Sequence, residues 1–221
     1  MDKVKYRLRY FHETKYIILP LFILYLIQFM MNAIFSEEAI LVFSREEGEN
    51  LFQNIHWLLI YLTPCLLPLN YFNDQLTDLN IFEMVRKDMK GKHFWQVMSS
   101  LFIFVMTYCI ISISLALILS HTHYSLGAWT IFLIEFVCAI ATLLLIGVIV
   151  SLVFRTNISF LIMLVMIILS FYADHGAILL PTYPSEMVNF QSLLTRIILL
   201  VIALLVTYVI FKRYELYGKK G

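Results

Sequence analysis

The sequence predicts an all-α polytopic membrane protein with six transmembrane helices and cytoplasmic N- and C-termini, forming a single transmembrane domain over 1–221. Three observations carry this. Apolar residues make up 61% of the chain and charged residues 14%, against roughly 45–50% and about 25% in a soluble domain. Six apolar runs approach the ~20 residues that cross a bilayer core. And Lys and Arg fall almost entirely on one side of those runs, which fixes orientation.

The same figures exclude other classes. Disorder, collagen and a disulfide-rich secreted module do not fit. The net charge of +1 argues against a nucleic-acid binder, whose basic face shows as an excess of Lys and Arg. With 7 Gly, no G-x-x-x-x-G-K-[ST] and no G-x-G-x-x-G, the chain has no phosphate-cradling loop for ATP or a dinucleotide.

In chain order, 1–15 carries Val4, Leu8 and Phe11 at helical spacing, with Lys3, Lys5, Arg7, Arg9 and Lys15 between and after them. That pattern is an amphipathic N-terminal helix at the inner headgroup layer, or an unstructured basic terminus that only sets topology. The first span, 16–35, starts too late and runs too long for a cleaved signal peptide. Its Tyr25, Gln28 and Asn32 share one face. Polar groups in hydrocarbon need partners, so this face meets protein or water. The outer loop that follows is acidic, with Glu37, Glu38, Glu46, Glu47 and Glu49.

The second span, 53–72, contains Thr63-Pro64-Cys65-Leu66-Leu67-Pro68. Each proline removes an i→i−4 hydrogen bond, so Pro64 and Pro68 are candidate hinges or packing kinks. The cytoplasmic loop 73–93 places Leu79, Phe82, Val85 and Met89 on one helical face, with Glu83, Arg86, Lys87 and Lys90 elsewhere and Gly91 positioned to stop the helix. Such a helix docks a soluble partner or lies on the membrane. The third span is 94–120. His121-Thr122-His123 offers two ligands where a structural zinc wants four, so no metal is expected.

The fourth span, 128–154, holds Glu135, the one acid inside a predicted span. An ionised acid near mid-helix costs on the order of 2.5–3.5 kcal/mol on insertion scales. Glu135 is therefore protonated, paired or facing water, as a relay for protons or cations or as a hydrogen-bonded packing acid. Arg155 marks the next turn, and 158–172 is the fifth and shortest span. Segment 173–191 is apolar, broken by Pro181 and Pro184. It reads as an outer re-entrant hairpin or as an ordinary loop. The sixth span is 193–211, and the tail is basic. Of 16 basic residues, only Arg45 and Arg196 fall on the outer side.

Cys65, Cys109 and Cys138 lie inside spans at no metal or redox spacing and read as small packing residues. Trp57, Trp95 and Trp129 lie near span ends, as in an interfacial aromatic belt. No H-E-x-x-H occurs, no span serine has the flanks of a serine intramembrane protease, and the Glu pairs lack a following Arg, so no enzyme is expected.

Taken together, the basic amphipathic lead-in, the Phe82-Glu83-Met84-Val85-Arg86-Lys87-Asp88 helix between spans two and three, the long third span opening at His93-Phe94-Trp95, the Pro-broken outer segment and the tail Lys212-Arg213-Tyr214-Glu215 resemble the permease subunit of a type-2 ATP-binding-cassette (ABC) exporter. The layout is similar to small bacterial permeases for peptide export or immunity, such as lantibiotic and phenol-soluble-modulin exporters. The resemblance covers the whole chain and rests on layout.

It implies that 79–89 is a coupling helix fitting the ATPase subunit, with Leu79, Phe82, Val85 and Met89 inside and Glu83, Arg86, Lys87 and Asp88 as polar contacts. It implies that Tyr25, Gln28 and Asn32 face the transport path or a partner permease, with Glu135 as a further candidate. The implied partners are two ABC ATPase subunits, a second permease copy or a paralogue, and membrane lipid. No cofactor is expected in this chain, with ATP and Mg bound by the ATPase. The implied location is a bacterial plasma membrane. Export of amphipathic or hydrophobic peptides, or their clearance from the membrane, is the expected function. Export of lipid, drug or polysaccharide, or a non-transporting assembly or regulatory role, stays open.

Overall fold

The computed structural model describes residues 54–66, 90–119, 126–154, 156–172 and 190–217, together with Ile23, Tyr25, Leu26, Ile27, Phe29, Met30, Met31, Ile34, Phe43, Phe72 and Leu76. Five helices organise them: α1 (Ile55–Leu66), α2 (Lys90–Leu119), α3 (Leu126–Val153), α4 (Thr156–Tyr172) and α5 (Phe190–Tyr217). The described positions between 23 and 34 are also helical, and no strand occurs among the described residues.

Segments within α2, α3 and α5 (Gly91–Ile118, Trp129–Val153 and Leu193–Lys212) are long and apolar enough to cross a bilayer. The apolar stretches Ile55–Cys65 and Thr156–Tyr172 are shorter. At 1.5 Å per residue, α4 reaches about 25 Å, a little under the ~30 Å hydrocarbon core. This is the make-up of a membrane-embedded helical protein.

Hydroxyls inside these helices are satisfied locally. Ser100, Thr107, Thr142, Ser170 and Thr207 each donate to the carbonyl four residues back. Such back-bonding lets a polar side chain sit in an apolar helix without a distant partner. Gly91 behaves differently from the sequence expectation. It lies in the first turn of α2, and its φ is outside the left-handed region that a helix-ending glycine adopts.

Helix α3 is the axis of the packing. It contacts all four of the other helices. Of its spanning window 78% is buried, against 33% for α2 and 17% for α5. Residues 135–145 are buried without interruption. A helix that is apolar on every side belongs inside, not at a boundary. The outer helices bury one edge only: Ser159, Met163, Ile167 and Phe171 on α4, and Arg196, Ala203, Thr207 and Phe211 on α5. Their outward faces leave Leu161, Leu169, Ile202 and Leu205 more than half exposed, apolar surface of the kind that lipid or protein covers.

Contacts between helices are specific. The chain turns sharply from α3 into α4 at Phe154, and the Ser159 hydroxyl donates to the Gly147 carbonyl across that turn. Phe94 of α2 packs on Tyr208 and Phe211 of α5, with ring centroids 5.2 and 5.4 Å away. The tryptophans do not form one belt. Trp95 is 53% exposed, but Trp57 is fully buried and Trp129 nearly so. The reason is ring packing: Trp57 lies 5.0 Å from Tyr61 and 5.8 Å from Phe171, and Trp129 lies 6.0 Å from Phe132.

Pro64 lies inside α1 and is buried. Having no N–H, it leaves the Ile60 carbonyl without its helical donor. The Tyr108 hydroxyl of α2 donates to that carbonyl at 2.7 Å. Tyr25 hydrogen-bonds Ser112 at 2.9 Å, and its ring lies 6.0 Å from that of Tyr108. This part of α1 is thus tied to a second helix and braced by a third segment. Tyr108→Phe removes the donor and should cost about 1–3 kcal/mol, the range for a buried polar group left unsatisfied. In a Pro64→Ala background the backbone N–H returns, and the same Tyr108→Phe change should cost clearly less. Thermal unfolding of the four detergent-purified proteins measures this, and equal costs in both backgrounds would refute it.

Candidate functional site

An acidic and a basic side chain lie inside the helix packing. Glu135 of α3 and Arg196 of α5 are each only 4% exposed. At 1.5 Å per residue they lie about 13 Å and about 9 Å from the starts of their helices. Both act electrostatically on Tyr61 of α1 and on Cys138 of α3, so the four side chains share one region of the interior. Neither charge is free: each has polar or electrostatic interactions.

The position of each follows from its helix. Glu135 and Cys138 are three residues apart on α3 and so share a face. Arg196 opens the buried edge of α5 that continues through Ala203 and Thr207 to Phe211. Tyr61 is fully buried, with its ring edge-on to Phe136 at 5.7 Å and tilted against Trp57 at 5.0 Å. Aromatic walls lower the local dielectric, which strengthens any interaction between the charges and raises the cost of either one alone. The arrangement holds one group of each sign in a packed interior where an isolated charge is costly.

The remaining sequence candidates fall as follows. Tyr25 is buried against α2 through Ser112 and Tyr108, while Gln28 and Asn32 lie outside the described residues. Pro64 is within α1, whereas Pro68 lies outside the described residues. Leu79, Phe82, Glu83, Val85, Arg86, Lys87, Asp88 and Met89 all lie outside them, as do 1–15, His121 to His123 and 173–189. The three cysteines are free thiols and buried. Among the described residues no group of three or more His, Cys, Asp and Glu could hold a metal ion.

Two residues went unrecognised in the sequence. Arg196, expected among the outer-side basic residues, sits within the apolar run 193–211 and is buried, and a lone Arg inside such a run is the available signal. Phe43 belongs to a stretch expected as an acidic outer loop. It is 3% exposed, with its ring 5.8 Å from Phe29, 5.2 Å from Phe132 and 5.3 Å from Phe136. Its signal was the apolar run Ala39-Ile40-Leu41-Val42-Phe43 just before the charges.

No family model, curated protein or solved structure matches the chain.

If Glu135 and Arg196 compensate one another, removing one leaves the other uncompensated, typically at about 3–5 kcal/mol. Glu135→Gln and Arg196→Gln should each lower thermal stability by that order. The double variant should lose less than the sum, because coupled sites are non-additive. Strict additivity would mean that the two charges do not compensate one another.

Proposed function

We propose that this chain is the permease subunit of an ABC exporter that moves amphipathic or hydrophobic peptides, or clears them from the membrane. The observation that carries the reading is the buried Glu135 and Arg196 amid apolar helices. Ionisable residues at membrane depth are costly, and they are found along substrate and ion pathways. One acid and one arginine suit a cargo that bears both signs, since each can exchange its partner for a charge on the peptide.

In this reading six spans cross a bacterial plasma membrane, with both termini in the cytoplasm. Three of them rest on helices long enough to cross, and the others on shorter apolar helices and on sequence. Two permease chains, either identical or paralogous, join two ATPase subunits that bind ATP and Mg. This chain itself has no catalytic role. Closure of the ATPases reaches the spans through 79–89, whose Phe82, Val85 and Met89 form the apolar face of an amphipathic segment.

The energy of such docking concentrates in a buried aromatic. Phe82→Ala should therefore weaken ATPase binding by about 2 kcal/mol or more. Glu83→Ala and Arg86→Ala should each do less, because rim charges are screened. Co-purification with a candidate ATPase subunit measures the effect. Full ATPase binding and transport by Phe82→Ala, with loss of both on changing 1–15, would place the coupling element at the N-terminus instead. Secreted peptide and peptide sensitivity after gene deletion test the cargo, and no change in either would exclude peptides.

A further inference from the structure

Helices α2, α4 and α5 each turn a face outward, and the three faces differ in chemistry. Every exposed residue from 197 to 209 of α5 is Ile, Leu or Val, and from 158 to 169 of α4 the exposed residues are Ile158, Leu161, Val165 and Leu169. Such faces suit lipid chains. The exposed face of α2 instead carries Gln96, Ser99, Ser100, Thr107 and Ser114 among its apolar residues. Hydrocarbon offers these groups no hydrogen bond.

The polar residues are also ordered. Ser100, Thr107 and Ser114 follow at intervals of seven, and so do Gln96, Ile103, Ile110 and Leu117. Together they alternate at spacings of four and three from 96 to 117, and all seven are exposed. This is a heptad seam, with a hydroxyl residue at each a position and a bulkier residue at each d position. A 3.5-residue repeat on a helix of 3.6 residues per turn stays against a neighbour only when two helices wrap round each other. Lipid imposes no such repeat. The opposite face of α2 is already taken, with Phe94, Leu101, Val105 and Cys109 buried in the chain's own packing.

The chemistry of the seam selects its partner. Hydroxyl and carboxamide groups both donate and accept, so each can pair with its own kind. No charged residue, which would repel its equivalent, occurs from Phe94 to Leu119. Two copies of one chain lie the same way up in a membrane, so α2 meets α2 in parallel and a two-fold axis brings each residue opposite its equivalent. The small a residues let the backbones approach, and the d residues fill the layers between. The Ser100 and Thr107 hydroxyls donate to the carbonyls of Gln96 and Ile103 at 3.0 and 2.8 Å. Their oxygens can still accept, so one of a facing pair accepts while the other turns from its own carbonyl to donate.

We propose that a second copy of this chain docks along the α2 seam from Gln96 to Leu117, as a parallel two-helix contact centred on Ser100, Thr107 and Ser114. The proposal does not rest on the export reading, which calls for two permease chains without saying where they meet.

The test is crosslinking of the full chain, without any ATPase, in phosphatidylcholine–phosphatidylglycerol vesicles oxidised with copper phenanthroline. The native thiols are buried, and the parent chain sets the background. Ile103→Cys and Ile110→Cys should give disulfide-linked dimer at least tenfold above Leu161→Cys on α4 and Leu205→Cys on α5, exposed positions that random collision would link equally. That yield should persist on tenfold dilution with lipid. Thr107→Leu added to Ile103→Cys should lower it at least fivefold, because a bulky residue holds the backbones apart, and Ser114→Leu should do the same to Ile110→Cys. Thr107→Ser should keep the dimer. Equal yields on α2, α4 and α5, or yields that Thr107→Leu and Ser114→Leu leave unchanged, overturn the proposal and assign the seam to lipid. A dimer through α2 that binds no ATPase leaves the interface standing and removes the export reading. Peptide export by a chain that gives no α2 crosslink does the reverse.

Discussion

In an apolar interior, a polar group that lacks a partner cannot turn to water, and Pro64 creates such a group inside α1. The Ile60 carbonyl loses its helical donor at that proline, and the Tyr108 hydroxyl replaces it from α2 at 2.7 Å. Tyr25 then ties Ser112, by a hydrogen bond, and Tyr108, by ring contact, to the segment around residues 23–34. The arrangement of three segments is in this way set by one missing N–H. The effect is selective because most other hydroxyls are absorbed within their own helices, as at Thr107, Thr142 and Thr207. Helices in lipid gain little from apolar contact with one another, so cross-helix hydrogen bonds and close packing carry more of the specificity. Pro64, a candidate hinge by sequence, is a point at which α1 is held.

The same constraint places the charges. Glu135 and Arg196 could be tolerated at 4% exposure only where each finds compensation. α3 supplies the acid because it is the central helix, and α5 supplies the arginine from its single buried edge. The lipid-exposed alternative is absent at both positions: the neighbours Ile134 and Ile197 point outward at 45% and 41% exposure, while the charged residues point in. Helix rotation is thereby fixed by polarity as well as by bulk.

How much of this the sequence disclosed depends on the range over which each interaction acts. The helices over most of 94–120, 128–154, 158–172 and 193–211 were legible because apolar runs are local; the observed ends lie within four residues of these, except that α5 runs on to Tyr217. The choice of α3 as the central helix was partly legible, since its run is apolar on every side. The Tyr108 to Ile60 bond joins residues 48 apart, and the Tyr25 to Ser112 bond joins residues 87 apart. No spacing rule links such pairs. Tyr25 and Glu135 could be singled out as polar groups in apolar runs, but their partners could not be named. Trp57 and Trp129 misled for a related reason: proximity to a span end suggests the interface, whereas burial depends on which face meets Tyr61, Phe171 or Phe132.

Because α3 is both central and regular, it links regions of different chemistry. Phe132 and Phe136, one turn apart, face the ring of Phe43. Glu135 and Cys138, between and just beyond them in sequence, lie by Tyr61 and Arg196. Tyr61 belongs to both regions through its contact with Phe136, and it sits on the helix that Pro64 and Tyr108 fasten to α2. A rigid helix turns as a unit, so a rotation of α3 that released the aromatic cluster would also shift Glu135 relative to Arg196. Loss of ring contacts and loss of charge compensation would then arise together, and packed interiors favour discrete alternative arrangements over gradual deformation. The aromatic and charged regions are therefore mechanically one element, joined through a single helix and a single tyrosine.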